Sequence, residues 1–122
     1  MCFLPKKEIT VDELKKLLDE KRNDFVIIDV RTRLEYSLYH IPTALNIPLS
    51  SIDENNINWL DKYKGKKIIF VCSITNRSRF AIGLLELFGV NTENMFYLNG
   101  GMSECVEKDY LTVEEGLPKE YS

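Results

Sequence analysis

Short, continuous runs of apolar residues predict four β-strands. The clearest are FVIIDV at residues 25–30 and KKIIFVC at 66–72, which are rich in β-branched and aromatic residues and too short for helices. MFYL at 95–98 is a third strong run, and residues 44–47 form a brief one before Pro48. Because the central runs are apolar on both faces rather than alternating, they are typical of strands inside a parallel sheet.

Apolar residues at helical spacing predict helices between these strands. In the first helix, Thr10 and Glu13 have the spacing of a capping box ahead of an apolar stripe. The clearest helix, SRFAIGLLELFGV, runs to Gly89, which we expect to act as its C-cap. The predicted helical segments are residues 9–21, 32–39, 51–63, 78–90 and 102–110.

This alternation of helices and strands predicts an α/β fold, an open parallel sheet with helices on both faces. The chain has no internal repeat, no low-complexity tract and no linker rich in Gly, Ser or Pro. We therefore expect residues 1–122 to form a single domain, with a core at about 8–110 and an acidic C-terminal tail. A chain of 122 residues is long enough to bury such a core without covalent cross-links.

Composition narrows the function. The net charge of −3 disfavours a nucleic-acid-binding surface, which is normally basic. No apolar run approaches the roughly 18 residues that span a bilayer, and the start, MCFLPKKEIT, lacks the pattern of a signal peptide. We expect no nucleic acid, no membrane and a cytoplasmic location.

The three cysteines, Cys2, Cys72 and Cys105, indicate free thiols. Their number is odd and their spacing contains no CxxC pair, which argues against both a disulfide framework and a zinc site. A single histidine, His40, weakens any metal interpretation further. In a reducing compartment the chemistry of the thiols themselves becomes the question.

Cys72 stands at the carboxyl end of a predicted buried strand, where open parallel sheets bind their ligands. We expect a loop from Ser73 to Ser78, followed by a helix that begins at Arg79 or Phe80. Loop amides, the helix dipole and Arg77 would favour the thiolate and any anion attached to it. The alternative is an inert buried cysteine beside a solvated helix start, although arginines at a helix N-terminus oppose the dipole.

The spacing from the cysteine to the arginine is C-x4-R, with a serine at the next position. Cysteine enzymes that transfer phosphate use one residue more to surround a tetrahedral oxyanion. The shorter loop fits one additional sulfur atom on the thiolate better than a phosphoryl group. A phosphatase or arsenate reductase is therefore the less favoured interpretation.

Three segments together resemble the rhodanese-like sulfurtransferase domain. They are IIDVRTRLEYSLYHIPTALNIPLS at 27–50, IIFVCSITNRS at 68–78 and FYLNGGM at 96–102. The resemblance spans about residues 8–110 and depends on the ordered combination of motifs. It implies a rhodanese-like fold, an open five-stranded parallel sheet, and a single-domain sulfurtransferase that uses no cofactor and no metal.

The resemblance also implies a role for each matching residue. Cys72 corresponds to the nucleophile that becomes a persulfide, and Arg77 to the arginine that binds the anionic donor or closes the loop. The substrate loop comprises Ser73, Ile74, Thr75, Asn76, Arg77 and Ser78, whose amides would surround the persulfide. Supporting roles fall to Asp29, Arg31, Glu35 and His40.

The implied partners are a small sulfur-donor anion, such as thiosulfate or a persulfide, and an acceptor that is a thiol, cyanide or a protein cysteine. Departures from the family pattern place Thr75, Tyr39 and Thr43 where glycine is frequent, which restricts positive φ angles and would reshape the site. A binding or sulfur-relay module with little turnover is the alternative function. We expect Cys2 and Cys105 not to resolve the persulfide.

Overall fold

A five-stranded parallel sheet forms the centre of the protein. The computed structural model describes residues 7–109 and residue 116. The sheet order is β1-β5-β4-β2-β3 and every pairing is parallel. The strands are β1 (Glu8–Ile9), β2 (Phe25–Asp29), β3 (Leu45–Asn46), β4 (Lys67–Val71) and β5 (Met95–Leu98).

Within the described residues, three α-helices and two 3₁₀ helices connect the strands, and a fourth α-helix follows β5. The α-helices are α1 (Val11–Asp19), α2 (Arg33–Leu38), α3 (Asn76–Leu87) and α4 (Gly101–Lys108), and the 3₁₀ helices are Leu49–Ser51 and Asn58–Tyr63. Among the described residues, no helix is both long enough and apolar enough to cross a bilayer.

Helices cover both faces of the sheet, as the sequence predicts. On one face, Ile27 and Ile69 pack against α1, α2 and α4. On the other, Ile28, Phe70 and Cys72 pack against α3 and the second 3₁₀ helix. The alternation along β2 and β4 follows from the period of two in a strand, and burial on both faces explains their continuous apolar sequences.

Three predictions about the elements need correction. The apolar runs predict only four of the five strands. The fifth, β1, has two residues on the sheet edge, and its Ile9 falls in the segment 9–21 that is predicted to be helical. Residues 51–63 form no α-helix but short 3₁₀ turns, the second at Asn58–Tyr63. The helix predicted to begin at Arg79 or Phe80 begins at Asn76, because the Arg79 amide donates to the Thr75 carbonyl and closes a turn earlier.

The ends of two helices agree with their predicted signals. Thr10 and Glu13 form the expected reciprocal capping box at the start of α1. Gly89 follows the last turn of α3 with φ +87°. Its amide donates to Glu86 and the Val90 amide to Leu85, which is the Schellman arrangement. The predicted acidic tail lies outside the described residues apart from Gly116, whose amide donates to the Ser37 carbonyl at 2.8 Å.

Candidate functional site at the end of the central strand

Cys72 directly follows β4, the central strand, at the carboxyl edge of the sheet. Its side chain is 1% exposed and packs on the face covered by α3. The Sγ donates to the Ser78 hydroxyl oxygen at 3.4 Å. Ser78 is also fully buried, and its hydroxyl donates to the Thr75 carbonyl at 2.8 Å. The predicted nucleophile and the last residue of the predicted loop are thus in direct contact.

The loop after Cys72 has three residues, Ser73, Ile74 and Thr75, before α3 begins. Helix α4 holds it from one side. The Met102 amide donates to the Cys72 carbonyl at 2.9 Å, and the Ser103 amide donates to the Ser73 carbonyl at 2.9 Å.

Gly101 allows the loop and α4 to touch through their backbones. It has φ +55°, in the left-handed region. A Cβ atom there would lie 2.4 Å from the Cys72 carbonyl oxygen, 2.6 Å from that of Ile74 and 2.7 Å from that of Ser73. No side chain fits against three backbone oxygens at those distances, so the position requires glycine.

The contact with α4 determines which way the loop amides face. A trans peptide places its C=O and N–H on opposite sides. Since the carbonyls of residues 72–74 lie against Gly101, the amides of Ser73, Ile74 and Thr75 point away from α4. None of these three amides donates to a group among the described residues. They form a set of unused donors in the loop that directly follows Cys72.

The N-terminus of α3 adds to this set. Thr75 is its N-cap residue and makes no side-chain capping bond. The first turn holds Asn76, Arg77 and Ser78, whose amides, like those of any first helical turn, have no intrahelical acceptor. The positive end of the helix dipole therefore faces the loop without a capping side chain. Three of the six predicted loop residues belong to this turn rather than to the loop.

Arg77 forms a bidentate ion pair with Glu35. Its Nη1 lies 2.6 Å from Glu35 Oε1 and its Nη2 lies 2.9 Å from Oε2. Arg77 Nη2 also donates to the Ser73 hydroxyl at 3.0 Å, and that hydroxyl donates to Glu35 Oε2 at 3.2 Å. The hydrogen bonds from Arg77 hold the pKa of Glu35 well below its ordinary value, and Glu35 in turn raises the pKa of Arg77. A negative charge on Cys72 raises the pKa of Arg77 further.

Local structure fixes Glu35 in this position. Thr32 caps α2, and Glu35 completes a second capping box with one carboxylate oxygen on the Thr32 amide at 3.0 Å. The Thr-x-x-Glu spacing is a local signal for this cap, but it does not indicate that Glu35 lies beside the loop. The pairing with Arg77, 42 residues later, has no local signal at all.

Asp29 and Arg31 lie beneath this arrangement as a buried ion pair. Each side chain is 1% exposed. Arg31 Nε and Nη2 donate to the Asp29 carboxylate at 3.0 and 2.8 Å. Arg31 Nη2 also donates to the Tyr39 carbonyl at the end of α2 at 2.7 Å. The pair thereby ties the end of β2 to the helix that carries Glu35.

His40 packs against α2. Its ring stacks on Tyr36 with centroids 3.6 Å apart, and its Nδ1 is 2.8 Å from the Tyr36 carbonyl oxygen. The side chain is 3% exposed. These contacts are those of a histidine that orients the segment following α2.

The turn after His40 contains a non-glycine residue, Thr43, with a positive φ angle. The Ala44 amide donates to the Ile41 carbonyl at 3.0 Å, with Pro42 and Thr43 between them. Thr43 has φ +75°, as the third position of a type II turn requires. Thr75 and Tyr39, by contrast, have φ −149° and −169°, so neither needs glycine. The expectation that these three substitutions restrict positive φ applies to Thr43 alone.

Cys105 packs on the opposite face of the sheet from Cys72. Cys105 is fully buried in the core against α1 and the sheet, and burial raises the pKa of its thiol to about 11. Cys2 lies outside the described residues. Within residues 7–109 and 116, no three His, Cys, Asp or Glu side chains are grouped in a way that could hold a metal ion.

A cavity of about 570 Å³ opens elsewhere, at the amino ends of β4 and β5. Its lining includes Lys67 and Met95, which begin those strands. Cys72 lies at the other end of β4, so the cavity and the candidate site are at opposite edges of the sheet. None of the residues lining it is a cysteine or a histidine.

Helix α4 is the part of the site that sequence reasoning missed. The segment FYLNGGM, which contains Gly100 and Gly101, contributes to the family resemblance, but it does not predict that either glycine contacts the loop after Cys72. The feature that could have indicated this contact is Gly101, because glycine is needed where the backbone of α4 meets that of the loop. The partner of that contact cannot be identified from the sequence, because Cys72 and Gly101 are far apart along the chain.

Comparison with known proteins agrees with this architecture. A family model described as a rhodanese-like domain matches residues 10–108. The adenylyltransferase and sulfurtransferase MOCS3 of Xenopus laevis is 27% identical over an alignment covering 83% of this chain and 26% of that protein. The chain thus spans about a quarter of the length of this curated relative.

Solved structures give the same result. The BH2092 protein of Bacillus halodurans superposes with a TM-score of 0.75 at 26% identity, covering 96% of this chain and 82% of that one. A rhodanese-like domain protein of Staphylococcus aureus gives a TM-score of 0.66 at 35% identity, covering 79% of this chain and 87% of that one.

Proposed function

Because the chain belongs to the rhodanese-like domain family, we propose that it is a sulfurtransferase that carries a sulfane sulfur as a persulfide on Cys72. The observation that carries this proposal is the set of unused backbone amides beside a buried thiol, formed by the short loop and the uncapped start of α3. Such donors stabilise negative charge that develops on sulfur.

In the first step, the Cys72 thiolate attacks the sulfane sulfur of thiosulfate or a persulfide. A bond forms between Sγ and that sulfur, and the donor's own sulfur–sulfur bond breaks. Its electron pair leaves with sulfite, or with a thiolate that then takes up a proton. The product is a persulfide whose outer sulfur carries the negative charge.

The surroundings of Cys72 match this product. The amides of Ser73, Ile74 and Thr75 are available to the outer sulfur. The Ser78 hydroxyl, which accepts from the thiol, can rotate to donate once that proton is lost. Ser78 thereby accepts a hydrogen bond from the thiol and can donate one to the thiolate.

In the second step, the outer sulfur passes to cyanide, a thiol or a protein cysteine. The acceptor attacks that sulfur, and the bonding pair returns to Sγ as thiolate. Neither step requires a metal or an organic cofactor. A reducing compartment such as the cytoplasm would keep Cys72 free for the first step.

A binding or relay module with little turnover is the second candidate. It is favoured by the burial of Cys72, which is only 1% exposed, so a donor reaches it only when the loop moves. A phosphatase is disfavoured because Arg77 is already neutralised by Glu35 and offers no free charge to a phosphoryl group.

Steady-state formation of thiocyanate from thiosulfate, or from a persulfide, and cyanide tests the proposal. We expect turnover that is lost in Cys72→Ala and retained in Cys105→Ala, which removes an equally buried thiol elsewhere in the core. Formation of the persulfide without turnover would favour the relay module. Absence of both would overturn sulfur transfer.

A further inference from the structure

The Glu35–Arg77 ion pair cancels the charge that a donor dianion would need. The contact is bidentate, with both nitrogen–oxygen distances at or below 2.9 Å. Both side chains are about one-third exposed, so solvent screens the pair only in part. The family resemblance implies that Arg77 either binds the anionic donor or closes the loop. Its contacts with Glu35 and with the Ser73 hydroxyl are those of a residue that closes the loop.

The buried Arg31 is also neutralised and adds no free charge beneath the loop. Arg31 is 1% exposed and donates through Nε and Nη2 to Asp29 and the Tyr39 carbonyl. Apart from Arg79, which is exposed and lies over the Tyr97 ring, the described loop offers an anion the partial positive charge of the α3 N-terminus and the loop amides, about half a unit. In the proposed reaction, the attacking Cys72 thiolate occupies the same field. Thiosulfate would bring two further negative charges toward it.

We propose that Glu35 sets the donor preference of this site: by neutralising Arg77, it disfavours the thiosulfate dianion and favours sulfane donors that carry at most one negative charge. This inference rests on the proposed sulfur transfer and makes Glu35 a specificity-determining residue rather than a catalytic one. The preferred donor class is an organic persulfide or another monoanion.

Methanethiosulfonate is the probe that isolates the charge. It is thiosulfate with one anionic oxygen replaced by a methyl group, so the two donors differ by one charge and little in shape. Each transfers its sulfane sulfur to the Cys72 thiolate by the same displacement. Thiosulfate releases sulfite and methanethiosulfonate releases methanesulfinate, with the bonding pair leaving on that group in both cases.

The measurement is the ratio of the second-order rate constants for sulfur uptake from the two donors, followed by intact mass. In Glu35→Gln, Arg77 becomes an uncompensated cation, and we expect the thiosulfate-to-methanethiosulfonate ratio to rise about tenfold (about 1.4 kcal/mol). Glutamine remains compatible with the capping box on Thr32, so α2 should stay folded. The rise should diminish in high salt.

Three further variants separate charge from structure. Arg77→Gln leaves Glu35 uncompensated and should lower the ratio, while the double variant restores neutrality and should return it near the wild-type value. Glu13→Gln makes the same substitution at the same position of the other capping box, on α1, and should leave the ratio unchanged.

The outcomes distinguish this inference from the proposed function. Sulfur uptake with a ratio that changes less than twofold in Glu35→Gln would overturn the role of Glu35 and leave sulfur transfer intact. A ratio that moves the same way in Glu35→Gln and Arg77→Gln would also overturn it, because disorder of the loop would then be the cause. Absence of sulfur uptake from both donors and from an organic persulfide as well would overturn the proposed function itself.

Discussion

Replacing Asp29 with asparagine should be among the most destabilising single changes in this protein. The substitution keeps the side-chain volume but removes the negative charge opposite Arg31. Arg31 is 1% exposed, and its Nε and Nη2 both donate to the Asp29 carboxylate. Leaving one member of a buried ion pair without its partner costs about 3–5 kcal/mol. Total stabilities of domains are about 5–15 kcal/mol, so the loss is a large part of the whole.

Urea and thermal unfolding at neutral pH measure this effect. We expect the melting temperature of Asp29→Asn to fall on the order of 10–20 °C. Asp19→Asn is the matched control, because Asp19 pairs with Lys15 at 2.7 Å on the surface, where such a pair contributes at most about 0.5 kcal/mol. Replacing the buried pair together, as Asp29→Leu with Arg31→Met, should recover most of the loss.

A loss in Asp29→Asn within about 1 kcal/mol of the Asp19→Asn value would refute this reasoning. It would mean that Arg31 finds other partners or that water reaches it. The role of the pair in holding α2, and through α2 Glu35, would then have to be abandoned.

Three other changes test the geometry around the site. Thr43→Gly should stabilise the protein by about 0.5–1 kcal/mol in urea unfolding, because relief of the left-handed strain outweighs the added chain entropy; Thr75→Gly, at φ −149°, should not stabilise it. Gly101→Ala should lower the free energy of unfolding by about 3 kcal/mol and slow sulfur uptake. Gly89→Ala is the control, because Gly89 also has a positive φ but an added Cβ would have no atom within 4 Å; it should cost about 1–2 kcal/mol and leave uptake unchanged. Equal losses of stability in the two variants would contradict the backbone contact at Gly101. Because the pKa of Glu35 is lowered in the folded protein, its ion pair stabilises the fold above the ordinary carboxyl pKa, and this stabilisation is lost as pH falls. The difference in melting temperature between wild type and Glu35→Gln should therefore be constant at neutral pH and shrink below about pH 4.5. A difference that grows below that pH would contradict the sign of the pKa shift.

The sequence predicts those features of the site that depend on local pattern. The apolar run before Cys72 and the helical pattern after it place the thiol at the carboxyl edge of a parallel sheet, which the structure confirms. The capping signals at Thr10 and Gly89 are likewise local and are found as predicted. Burial on both faces of β2 and β4 follows from their continuous apolar sequences.

Features that depend on pairing across the chain were not predictable. The strand β1 is two residues long and is defined by its partner β5, not by its own composition. The start of α3 was placed too late, because polar residues such as Asn76 and Ser78 are as typical of loops as of a first helical turn. The Glu35–Arg77 contact and the support from Gly101 depend on which elements become neighbours, and a single sequence holds no signal for that.

The most direct test of sulfur transfer is the intact mass of the protein after one exposure to a sulfane donor, with removal of excess donor. We predict a gain of one sulfur atom, about 32 Da, that maps to Cys72, disappears on addition of cyanide or a thiol, and is absent in Cys72→Ala. An unchanged mass with thiosulfate, methanethiosulfonate and an organic persulfide alike would contradict the account, as would a sulfur that remains in Cys72→Ala.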